Sequence, residues 1–77
     1  MIKFTEHAET RLDERDISKE QVKNTLENPD FILPTRANRK IAIKKIDNKF
    51  LKVVFTKENS DIIVITNHWI SKFKPKG

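Results

Sequence analysis

The chain has 77 residues, no cysteine and a formal net charge of +5, from 16 basic and 11 acidic side chains. That length allows one domain with a modest core, expected to span 1–77, and the missing cysteines exclude a disulfide framework and a thiolate metal site. No apolar run approaches the ~20 residues of a membrane helix, and MIKFTEH lacks the apolar centre of a secretory signal, so a cytoplasmic domain with no membrane role is expected.

Ile2 to Phe4 reads as a short strand. Thr5 then caps a helix from Glu6 to Arg15, with Ala8 and Leu12 as a narrow apolar seam at i, i+4 spacing. His7, Arg11 and Arg15 rise beside that seam on nearly one line. Like charges at this spacing weaken an isolated helix by a few tenths of a kcal/mol per pair. The line is therefore either a solvated face with counter-charges nearby or a strip that holds an anion.

A second helix is signposted by Ser18 and Gln21, which make a capping box, and by Ile17 and Val22, which make the accompanying hydrophobic staple. Asn28-Pro29 ends it, because the residue before proline is pushed out of the helical region. The pattern then turns to β. Asp30 to Leu33 is a short strand candidate, and Arg39 to Ile46 alternates Ile41 and Ile43 against Lys40, Ala42 and Lys44. Asp47-Asn48 suits a tight turn, since both residues tolerate positive φ. Phe50 to Thr56 and Asp61 to Ile70 follow, the latter apolar on both faces as a central strand is.

These elements predict an α+β fold, with two N-terminal helices packed on an antiparallel sheet of three or four strands. The expected core is Ala8, Leu12, Ile17, Val22, Leu26, Ile41, Ile43, Val53, Phe55, Ile63 and Ile65. Residues 72–77 read as a loosely held basic tail.

Charge is unevenly placed along the chain. Residues 1–28 carry five basic and seven acidic groups, whereas residues 29–77 carry eleven and four. A basic half of this kind attracts polyanions, of which nucleic acid is the commonest; the alternative is a solubilising lysine surface.

The succession HAETRLDERDIS, VKNTLENPD, a lysine-bearing hairpin and VIT before an aromatic residue resembles the prokaryotic domain-of-unknown-function family 4258, with its pattern HAxxRxxxRgI. Asp16 stands where that pattern has glycine, and aspartate can adopt the left-handed conformation such a position needs. The family is similar in size and layout to the RelE and ParE toxins of toxin–antitoxin modules, which share the fold of metal-independent ribonucleases. The resemblance implies a RelE/ParE-like fold and an RNA-cleaving or RNA-binding role: a metal-independent endoribonuclease that leaves a 2′,3′-cyclic phosphate, with RNA as partner and an antitoxin protein as a second partner. The alternatives are a non-catalytic RNA- or DNA-binding module and an interaction domain for a protein partner.

Metal-free RNA cleavage needs a base for the 2′-hydroxyl, an acid for the leaving 5′-oxygen, and cations around the phosphate. Histidine suits the proton steps and arginine the phosphate. His7, Arg11 and His68 are thus the candidate catalytic residues, and Arg15, Lys40, Lys44, Lys45 and Thr66 the candidate substrate-binding ones. If the first helix crosses the sheet, His7, Arg11, Lys44, Thr66 and His68 converge. The bland readings are Arg11 paired with Glu14, Arg15 paired with an acid of the second helix, and His7 closing the helix start. Two histidines and scattered carboxylates give no metal-ligand spacing, and no Gly-rich phosphate loop is present, so neither metal nor cofactor is expected.

Overall fold

A computed structural model describes residues 1–72; the expected tail lies outside the described residues apart from Lys72. The chain runs β1 (Ile2–Phe4), α1 (Glu6–Arg15), α2 (Lys19–Glu27), β2 (Phe31–Pro34), β3 (Arg39–Ile46), β4 (Lys49–Glu58) and β5 (Asp61–Ile70). Among the described residues, no helix is long and apolar enough to cross a membrane.

The two helices form where the sequence places their caps. The Thr5 hydroxyl accepts from the Ala8 N–H, and the Ser18 and Gln21 side chains complete both halves of the capping box. Asp16 ends α1 with φ 53°, ψ 51°, in the left-handed conformation expected of it.

The sheet corrects the expectation. It has five strands in the order β1-β5-β4-β3-β2 and is mixed, because β1 runs parallel to β5 while the other pairs are antiparallel. An antiparallel sheet of three or four strands of the RelE/ParE kind does not describe it. Both extra strands are short edges. β1 has three residues and pairs Ile2 with Ile62, so no local signal announces its partner. β2 ends on Pro34, a residue tolerated only where no neighbour needs its N–H.

Both helices cover one face. Asn67 Nδ2 donates to the Ala8 carbonyl and Trp69 Nε1 to the Arg15 carbonyl, which fixes α1 over β5. Ala8, Leu12, Ile17 and Val22 then bury against Leu51, Val53 and Val64, with Phe4, Leu26, Ile46 and Trp69 at the margins. Register places Ala42 opposite Val53 and Lys44 opposite Leu51, so the even positions of β3 share the helix side. Ile41 and Ile43 face the other way. Ile43 is nonetheless buried, whereas Ile41, Leu26, Ile63 and Ile65, all expected in the core, are only half-buried. Leu51, Val64, Ala42, Thr25 and Asn67 take the remaining buried positions.

The strand β5 carries a bulge at Ile65. Val54 pairs with Thr66 but Phe55 pairs with Val64, leaving Ile65 as an extra residue. Its carbonyl accepts the Thr5 hydroxyl at 3.1 Å. The bulge thus tethers the start of α1 to the sheet.

Candidate nucleic-acid interface

Among the described residues, no helix covers the second face of the sheet. Alternation along β4 puts Phe50, Lys52, Val54 and Thr56 on it. Lys45, opposite Phe50, and His68, opposite Lys52, join them, and Thr66 stands opposite Val54. At one end of this face Asp61 pairs with Lys3 at 3.1 Å, which holds the Asp61 carboxyl below its ordinary value, chiefly through that hydrogen bond. The other end, by the Asp47-Asn48 turn, gathers Lys45, Lys52 and His68.

The expected site residues are distributed over three places. Lys45, Thr66 and His68 lie on the free face. Lys40 and Lys44 belong to the helix side, where the Lys44 ammonium donates to the Asn28 carbonyl at 3.0 Å and so closes the end of α2. His7 is exposed on α1, and Arg11 forms an ion pair with Glu14. The structure therefore does not gather His7, Arg11, Lys44, Thr66 and His68 around one point. The physical reason is that Asn67 and Trp69, rather than Thr66 and His68, face α1: the two-residue period of a strand sends neighbours to opposite faces.

Arg15 links the two sides. Its guanidinium donates to the Asn67 carbonyl at 3.4 Å, on the stretch of β5 beyond the reach of β1, which pairs only with 62–64. Among the described residues, it has no ion pair with an acid of the second helix. From there its charge acts on His68. Partial burial, then Lys52, then Arg15 push the His68 imidazole below its ordinary value, favouring the neutral ring. Lys52 escaped the sequence reading. Its only signal was the alternation that sets Leu51, Val53 and Phe55 on one face and therefore Lys52 on the other.

On the helix side of the same end, Trp69, Lys49, Gln21 and Asp47 line a shallow groove beside Arg15, with the Lys49 ammonium 5.6 Å from the Trp69 ring centre. Trp69 is thus a packing residue capped by a cation–π contact. No group of three or more histidine, cysteine or carboxylate side chains able to hold a metal occurs among the described residues.

Comparison with protein families finds a match to the model described as Domain of unknown function (DUF4258), over residues 4–66. The chain belongs to this family. The match takes in both helices and runs into β5, so the Arg15 position lies within it and His68 just beyond. No curated protein and no solved structure matches the chain.

Proposed function

We propose that this member of the DUF4258 family is a non-catalytic nucleic-acid-binding module that lays RNA along the helix-free face of its sheet. The observation that carries this reading is the separation of charge between layers. The helical part holds the acidic excess, seven acids to five bases over residues 1–28, and the strands hold the basic excess. Within the sheet, Lys45 and Lys52 stand on the free face at the end away from Asp61. A surface of this kind draws in a polyanion and orients it toward one layer.

The reading keeps RNA, the partner expected from the sequence, and leaves out acid–base cleavage. Cleavage by the expected pair would need His7 and His68 on the same phosphate, and His68 faces away from the helix that carries His7. An antitoxin partner is no part of the reading.

Binding of a single-stranded RNA, followed across salt concentrations, tests the proposal. Affinity should fall as salt rises, and reversing Lys45 and Lys52 together to Glu should flatten the log–log slope by about 0.7 for each lost phosphate contact. The matching reversal of Lys40 and Lys44, on the helix side, should change the slope less. Salt-insensitive binding, or equal effects of the two double variants, would refute it.

A further inference from the structure

Among the described residues, Lys3 pairs with Asp61, Arg11 with Glu14 and Lys19 with Glu9. Arg15, Lys52 and His68 belong to the basic side chains that have no such partner, and they are the ones that three different elements bring together. They come from α1, β4 and β5, they stand around the same short stretch of β5, and no carboxylate pairs with any of them among the described residues. Arg15 reaches the Asn67 carbonyl from the helix layer, and Lys52 is the direct cross-strand neighbour of His68 on the free face. Lys52 and Arg15 bring two positive charges to this stretch from opposite sides, and both disfavour a charge on the ring between them. One anion would offset both.

We propose that Arg15, Lys52 and His68 form a phosphate-binding site wrapped around the uncovered part of β5, which, resting on the RNA reading above, grips one backbone phosphodiester. The division of labour follows from the side chains. Arg15 offers a planar fork that matches two phosphate oxygens. Lys52 supplies a mobile point charge from the free face. The imidazole of His68 supplies an N–H donor in its neutral form and a second charge once protonated.

The occupied site reverses the electrostatics of His68. Lys52 and Arg15 are the charged groups that act on the ring, from β4 and α1, and both disfavour its protonation. A bound phosphate outweighs them at close range and makes the protonated ring the favoured form. Binding therefore takes up a proton and tightens as pH falls. His7, the only other histidine, is exposed on α1 and lies outside the site, which makes it an internal reference.

Proton NMR of the two imidazole rings, assigned with His7→Gln, tests this on the full chain with inorganic phosphate and with a short oligoribonucleotide as probes. Either probe should shift the His68 ring signals and raise its titration midpoint while leaving those of His7 in place. Lys52→Gln should weaken the effect about tenfold, as loss of a charge-assisted contact does. Arg15→Lys, which keeps the charge but loses the fork, should weaken the oligonucleotide less than Lys52→Gln weakens it. Unmoved His68 signals at saturating probe, or equal movement of both histidines, would overturn the proposal. RNA retention with His68 unmoved would refute this site and leave the RNA reading standing. A phosphate-induced shift without RNA retention would do the reverse, keeping a small-anion site and refuting the RNA reading.

Discussion

Leu51 and Lys52 are neighbours in β4, and they serve opposite ends. Leu51 points under the helices and is fully buried; Lys52 points to the free face beside His68. The same alternation divides β5, where Asn67 is buried beneath α1 and Thr66 and His68 stand on the other side. The side chains buried beneath the helices are apolar apart from Thr25 and Asn67 and carry the stability. The free face mixes apolar residues with cations, which suits the proposed binding of RNA. One strand therefore contributes to both tasks without compromise, because a two-residue period keeps them apart.

Truncation measures that division most directly. Leu51→Ala should lower the unfolding free energy by about 2–5 kcal/mol, read by urea denaturation, and Val54→Ala on the free face by less than about 1.5 kcal/mol. Equal losses would mean that something covers both faces alike. A charge placed on each side gives the next effect. Asn67→Asp puts a carboxylate where the amide donates to the Ala8 carbonyl and where Asn67 Oδ1 has no partner, and it should destabilise by about 3 kcal/mol. Thr66→Asp should stay within about 1 kcal/mol yet weaken RNA retention.

The smallest effect concerns pH. The His68 value is lowered in the folded chain from the usual 6.5, so protons bind the unfolded chain more readily. Its contribution is whole above about pH 6.5 and declines as pH falls from there toward the lowered folded value. Thermal unfolding between pH 7.5 and 5.5 should show this decline, and His68→Gln should reduce it. A melting temperature as pH-sensitive in the variant as in the parent would assign the decline to other groups.

Local signals made the helices legible. Thr5, Ser18, Gln21 and Pro29 each act within a few residues of where they stand, and both helix spans follow from them. The hairpins were legible for the same reason, with Asp47 adopting φ 57° at the β3–β4 turn as expected. What the sequence hid was long-range. The parallel pairing of β1 depends on a partner 60 residues away, and the orientation of His68 depends on which face of β5 meets α1. The bulge at Ile65 shifts that alternation by one residue midway through β5, so Val64 and Asn67 end up on the same side although three positions separate them. Reading β5 as an unbroken period of two cannot reveal this. Lys40 and Lys44 were correctly grouped on one face of β3, but the pattern alone did not say that this face belongs to the helices.

The parallel pairing of β1 with β5 also has a kinetic side. The meander from β2 to β5 is built from contacts between consecutive segments, whereas β1 and α1 rest on β5, some 60 residues further along the chain. Ribosomal synthesis delivers α1 early, with the apolar seam of Ala8 and Leu12 exposed until Val64 and Asn67 emerge. Contacts of such wide sequence separation form late and slow the overall rate. The nascent N-terminal third is then a helical hairpin without its floor, and mutations that weaken the Ile2 to Phe4 pairing with β5 should act mainly by speeding the release of α1.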